Sequence, residues 1–235
     1  SASSNDKLTT RQFFDGLGRP IQTVVERFSP TGADLISPRW YDEWGREPIH
    51  FLPFTIPDNQ GGYQTDVVKF PDNYETSLQR DFYQNTPKVS TDSKPYAKDV
   101  FEESPLNRVV KQGASGSSWQ PLSAATDFND NSIKKAYKVN QSSDVYGFTY
   151  DPASGLVSLS GNYVAGQLLA NYTYDEKNNE IIEFADKEGR TVCKKVQYKS
   201  IGTTKLYTET YYIYDDFGNL VVVLPPEAVK LLTQP

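Results

Sequence analysis

Of the 235 residues, 37% are hydrophobic and 23% charged, a balance that supports a packed core and excludes a disordered chain. The formal net charge of −6 repels phosphate and argues against nucleic acid as a partner. One cysteine, Cys193, excludes an internal disulfide, and one histidine, His50, excludes a zinc cluster of several histidines.

The 16 Tyr and 12 Phe tilt the expectation towards strands. Methionine is absent, so Ser1 is read as a processed or an excised start. The apolar run Leu220 to Leu224 is far too short for a membrane span, and none is expected.

In chain order, the first predicted turn is Phe14-Asp15-Gly16-Leu17-Gly18-Arg19, followed by Tyr41-Asp42-Glu43-Trp44-Gly45-Arg46. Each reads as the tip of a hairpin. The aromatic ends a strand, the Asp side chain caps backbone N–H groups two residues on, and the glycine supplies a positive φ. Residues 55–145 read as an insertion of mixed structure within a single module spanning 1–235. Tyr74, Leu78 and Phe82 predict a short helix near 74–84. Residues 112–118 read as a flexible stretch in which replacing Gly116 is expected to cost little.

Four further hexads follow. Asp151 with Gly155 has one extra residue before its glycine. Asp175 is followed by Asn179, read as standing in for the glycine. Asp186 with Gly189 lacks the aromatic, and Tyr214-Asp215 with Gly218 keeps it. Aromatics two apart, Phe148 and Tyr150, Tyr172 and Tyr174, Tyr212 and Tyr214, are expected on one side of their strands as an aromatic layer. Pro226 is placed to open a closing helix with Val229, Leu231 and Leu232. The fold class expected is mainly β, an antiparallel sheet of degenerate hairpin repeats with short helices in the insertion.

The hexads resemble YD repeats of the RHS class. The strings Phe14 to Val24, Glu103 to Val109, Tyr163 to Leu168, Phe184 to Arg190 and Tyr214 to Glu227 are similar to the N-terminal module of RHS-repeat proteins from Bacteroidota. The resemblance implies an exported protein, secreted or at the cell surface, in many cases through type IX secretion. It implies a spiralling β shell that, in polymorphic toxins, encloses a C-terminal effector. Its implied partners are downstream RHS repeats of the same polypeptide and the secretion machinery.

Catalytic readings are weak. A Cys193–His50 dyad is outweighed by Cys193 as a buried strand residue. No Gly-x-Ser-x-Gly elbow sits between a strand and a helix. Asp127 to Asn131 opens like a calcium loop but lacks its glycine and closing glutamate, so no metal site is expected. No cofactor is expected either. Trp40, Trp44 and Trp119 are candidate glycan contacts, weighed against core ladders. Arg19, Arg46 and Arg190 are expected near the turns, pairing with a neighbouring repeat's Asp. The reading is a non-catalytic structural module that begins and caps an RHS shell; the alternative is a carbohydrate-binding, adhesin-like surface module.

Overall fold

The structure, a computed structural model, describes residues 7–57, 59–122 and 128–233. It is mainly β and antiparallel, as the hairpin repeats predict. The chain divides into two compact units, Ser1–Ser132 and Ile133–Pro235, and the span 55–145 straddles that boundary. Among the described residues no helix is long and apolar enough to cross a membrane.

The first unit contains β1 (Thr10–Phe14), β2 (Pro20–Val25), β3 (Asp34–Pro38), β4 (Ile49–Phe51) and β5 (Phe54–Ile56), then α1 (Leu78–Asn85), β6 (Tyr96–Phe101) and β7 (Val109–Gly113). One sheet runs β1-β2-β3-β5, and β4, β6 and β7 are neighbours in that order in a second. Alternation sets the buried face: Val24 and Ile36, paired across β2 and β3, pack with Phe54 and Val67. A second cluster of Ile49, Phe51, Tyr74 and Tyr96 gathers Trp40 and Phe70 around it.

The predicted helix near 74–84 is broken. A 3-10 turn covers Tyr74–Thr76, Ser77 is extended, and α1 starts at Leu78. A buried glutamine ties it down. The Gln79 amide donates to the carbonyls of Leu52 and Pro95, and its oxygen accepts from the Tyr74 hydroxyl. Each of these polar groups would cost about 1–3 kcal/mol if buried without a partner.

The second unit contains β8 (Ile133–Val139), β9 (Tyr146–Asp151), β10 (Leu156–Asn162), β11 (Leu169–Tyr174), β12 (Glu180–Ala185), β13 (Thr191–Ile201), β14 (Thr204–Tyr214), β15 (Leu220–Leu224) and α2 (Pro226–Thr233). Its sheet runs β8-β11-β12-β13-β14-β15, and β9 and β10 form a separate hairpin. Ala170, Ile182, Phe184, Val192, Cys193, Tyr211, Ile213 and Leu224 supply the sheet's share of one core cluster. The β9–β10 hairpin adds Phe148 and Tyr150, and α2 adds Val229 and Leu232. Each large side chain so buried contributes roughly 1.5–3 kcal/mol. Pro226 opens α2 as expected, whereas Leu231 faces solvent.

The expected aromatic layer holds in part. Tyr172 and Tyr174 stack at 6.2 Å with rings 16° apart, and Phe148 and Tyr150 pack on the core. On β14 the buried side is the other one: Tyr211 is 2% exposed and Ile213 7%, rather than Tyr212 and Tyr214. The register shift between Ile213 and Tyr214 adds a bulge there, and alternation read back from the turn then points to the wrong side.

Gly116 departs from expectation as well. It sits at φ +117° with Asp92 and Trp119 atoms 3.3 and 3.4 Å from where a Cβ would lie. That backbone region belongs to glycine, so replacement there is costly rather than cheap.

Candidate functional site

Five loops share one construction. In each, the Asp backbone N–H donates to the carbonyl four residues on, and the residue three on donates back to the Asp carbonyl. These pairs are Asp15 with Arg19 and Gly18, Asp42 with Arg46 and Gly45, Asp175 with Asn179 and Asn178, Asp186 with Arg190 and Gly189, and Asp215 with Asn219 and Gly218. The Asp Oδ1 accepts from two further N–H groups, those of Leu17 and Arg19 in the first loop and of Phe217 and Asn219 in the last. Three-residue hairpin loops with a left-handed third position form this way. Gly18, Gly45, Gly189 and Gly218 all lie at φ of +77 to +83°.

Asn179 is not the left-handed residue of its loop; Asn178 is, at φ +63°. Asn179 fills the arginine slot instead, its amide donating to Asp175 Oδ2 at 2.9 Å. Counting three from the Asp, rather than to the last residue of the hexad, gives the right position. The Asp151 loop has one residue more. Gly155 is left-handed at φ +71° and donates to the Asp151 carbonyl, while the Ser154 hydroxyl takes Asp151 Oδ2.

A loop that the hexad pattern misses lies at Phe101 to Arg108. The Arg108 guanidinium donates to both Glu102 oxygens at 2.8 Å, and Asn107 is left-handed at φ +51°. Glutamate replaces aspartate, and its longer side chain spans a loop two residues longer. An aromatic-acid start followed by Asn-Arg six residues on is the signal that would have found it.

The arginines pair within their own repeat, not with a neighbour's Asp. Arg19, Arg46 and Arg190 donate through Nε to Asp15, Asp42 and Asp186 at 2.7–2.8 Å. What reaches the next repeat is the face of the guanidinium. Arg19 lies 4.5 Å from the Tyr41 ring centre, Arg46 4.4 Å from Phe101, and Arg190 5.1 Å from Tyr214. Phe101 and Tyr214 end the strands before the next loops, and Tyr41 directly precedes Asp42. The Tyr41 hydroxyl donates back to the Pro20 carbonyl, and the Tyr214 hydroxyl to that of Thr191. The guanidinium also lies over the next loop's glycine: a Cβ on Gly45 would sit 3.2 Å from Arg19, and one on Gly218 3.1 Å from Arg190. Three pairs of turns, Asp15 with Asp42, Asp42 with Glu102 and Asp186 with Asp215, are clamped to each other in this ladder.

Electrostatics agree with the geometry. The Arg19 backbone N–H, and then its guanidinium, hold Asp15 below the ordinary carboxylate range. For Asp186 partial burial pushes upward, but the Arg190 N–H and guanidinium outweigh it. The Asn219 amide lowers Asp215. The Arg108 pairing, with help from Ser104, takes Glu102 down to about 2.

The other candidates stand apart from the ladder. His50 on β4 is bonded to Asp99 at 3.1 Å. Cys193 is buried on β13, and burial pushes its thiol up to about 12, which leaves little thiolate for nucleophilic work. Asp127 of the calcium-like string lies outside the described residues, and Asp130 is taken by buried Lys111 at 2.9 Å. The three tryptophans occupy three surroundings. Trp40 packs edge-on to Phe70, Trp44 lies exposed under Arg46, and Trp119 closes the 3-10 turn Ser117–Trp119.

A family profile described as a domain of unknown function, DUF6443, matches residues 1–142. The chain belongs to the DUF6443 family. That match covers more than half of the chain, including the loops at Asp15, Asp42 and Glu102. No curated protein matches it. Among solved structures, a chain in the Photorhabdus luminescens Tc holotoxin pore is similar over 96% of this DUF6443 chain, with a TM-score of 0.50 and 12% identity. At that identity the likeness shows the fold. This chain spans 10% of the length of that one.

Proposed function

We propose that this chain is a non-catalytic structural module of an exported RHS-type protein, the segment that begins and caps its β shell. The observation that carries this reading is the clamp between turns. Each arginine closes its own loop and holds the ring of the next, Arg19 and Arg190 lying over Gly45 and Gly218 and Arg46 bonding Asn107, so a sheet built this way is extended one repeat at a time. The likeness to a Tc holotoxin pore chain supports the same architecture. An N-terminal position, an origin in Bacteroidota, release through type IX secretion, residence outside the cell and a toxin cargo all rest on the resemblance of the hexads to YD repeats.

The partner this reading requires is the next repeat of the same polypeptide, and β15 is where it would pair. Among the described residues β15 pairs with β14 on one side and closes the sheet order. Leu220, Val221 and Val223 are exposed on it, and the strand carries no charge to guard its edge. Amide exchange across 220–224 and light scattering test this, comparing the chain with a version extended by two further repeats. The extended version is expected to slow those amides and to associate less. A monomeric chain whose β15 amides already exchange as slowly as those of β13 would overturn the reading.

A further inference from the structure

In three places an arginine that opens one strand lies over the ring that ends the strand beside it. Arg19 precedes β2 and covers Tyr41 beyond β3, Arg46 precedes β4 and covers Phe101 at the end of β6, and Arg190 precedes β13 and covers Tyr214 at the end of β14. The strands of each pair are antiparallel neighbours. Each of these rings therefore takes its cation from the strand alongside, not from the strand its own turn leads into. Ala185 ends β12 without a ring, and the strand alongside, β11, is opened by Leu168 and Leu169 with no arginine. Ring and arginine go together.

Phe14 ends β1 in the same way and lacks that cover. A register shift between Phe13 and Phe14 sets it opposite Pro20, as shifts set Phe101 opposite Val109 and Tyr214 opposite Leu220. Its ring is 54% exposed, whereas Tyr41, Phe101 and Tyr214 are half-buried. Nothing lies within 4 Å of a Cβ placed on Gly18, where Gly45 and Gly218 meet Arg19 and Arg190. Ring and glycine form a socket with no cation over it among the described residues. By the rule of the other three, its arginine has to open a strand alongside β1. Among the described residues β1 pairs with β2 alone and is the edge of its sheet. The single charge on β1, Arg11, is paired with Glu26, so no free charge guards that edge.

We propose that β1 and Phe14 form a docking edge for a further repeat hairpin of the same polypeptide, whose return strand pairs antiparallel with β1 and whose turn-closing arginine stacks on Phe14 above Gly18. The source of the hairpin rests on the shell reading; the chemistry of the socket does not. Continuity with the ladder carries the assignment, since the same contact is made three times within the chain and Phe14 differs only in having an open side. A second copy of the chain fits less well. Its own far edge, β15, is opened by Asn219, whose amide ends on Asp215, so copies set edge to edge would bring no guanidinium. Backbone pairing would accept many strands. The arginine selects among them, because a return strand without one leaves the ring wet.

The probe is a head-to-tail cyclised hairpin peptide of Glu183 to Lys194, with Cys193→Ser, which keeps the Asp186 turn and its arginine. The full chain would be titrated with it, and with a peptide in which citrulline, planar but uncharged, replaces Arg190, while nitrogen–proton NMR follows the amides. Expected are saturable shifts at residues 10–14 and 18, with the citrulline peptide binding about fivefold more weakly. In Phe14→Leu the arginine peptide should weaken by a similar factor and the difference between the two peptides should vanish. Phe14→Leu should leave the melting temperature unchanged, because the ring is open. The proposal is overturned if the 10–14 amides stay in place, or if the peptide difference survives in Phe14→Leu. It is overturned too if that variant melts earlier, since the ring would then have a partner within the chain, or if those amides shift when the chain alone is concentrated, since the occupant would then be a second copy. A silent β1 beside a β15 that takes up its strand would sink this inference and leave the shell reading standing.

Discussion

The loops 186–190 and 215–219 are neighbours in one sheet and close in the same way, with Asp186 and Asp215 each capping two N–H groups and Gly189 and Gly218 each at positive φ. They differ at the fifth residue counted from the Asp. Arg190 bonds its own Asp186 and still reaches Tyr214, whereas the shorter Asn219 amide ends on Asp215. Closing a turn is therefore local work for Asp and Gly. Joining one turn to the next depends on the length of a single arginine.

Substituting valine at the two glycines puts the largest strain on that contrast. Gly189→Val should cost the left-handed backbone penalty, ~1–2 kcal/mol, since nothing lies within 4 Å of its new Cβ. Gly218→Val should cost that and also displace Arg190 from Tyr214, a further ~0.5–1 kcal/mol. Equal shifts in urea midpoint for the two would remove the clamp from the account. Next in size is a double-mutant cycle of Arg190→Asn with Tyr214→Leu. The single change keeps the turn and loses the stack, and a coupling of ~0.5–1 kcal/mol is expected. Additive effects would mean that the guanidinium only closes its own loop.

The acid limb sharpens the comparison for the long loop. Glu102 is held near about 2 against an ordinary 4.5, so its ionised form is favoured in the folded state. Its stabilising effect is fully present above pH ~4.5 and is lost as pH falls towards ~2. Glu102→Gln should accordingly flatten the dependence of melting temperature on pH within that window and leave its slope unchanged at neutral pH. The smallest expected effect is none: a chelator should leave the melting temperature unchanged, and a fall of several degrees would assign a bound ion a share in the fold.

The turns were legible because their chemistry is local. Asp at the first position and Gly three residues later suffice to place the left-handed backbone at Gly18, Gly45, Gly189 and Gly218. Asn178 was displaced by one because two asparagines adjoin and only counting from Asp175 separates their roles. The loop of Glu102 was hidden by its greater length. The clamp of Arg19 on Tyr41 could not be read at all, since it depends on which strands lie side by side, and 22 residues separate the two in the chain. Tyr211 rather than Tyr212 faces the core for a related reason. A bulge at the turn resets the alternation, and a pattern of period two carries no record of where it slips.

At each loop the residue two after the Asp lends its backbone N–H to the carboxylate; the Trp44 ring also stacks on Arg46 and the Glu188 carboxylate meets Arg190, whereas Leu17 and Phe217 lend the backbone N–H. Leu17 is 79% exposed there and Phe217 92%, and Trp44 and Glu188 occupy the same place. Turns at one end of an antiparallel sheet recur every second strand, roughly 10 Å apart. Within one unit neighbouring loops such as 186–190 and 215–219 thus line up their tips in a row, each mounted on its own Asp. Exchanging Leu17 or Phe217 should alter stability by no more than about 0.5 kcal/mol while rewriting what its rim presents to the outside.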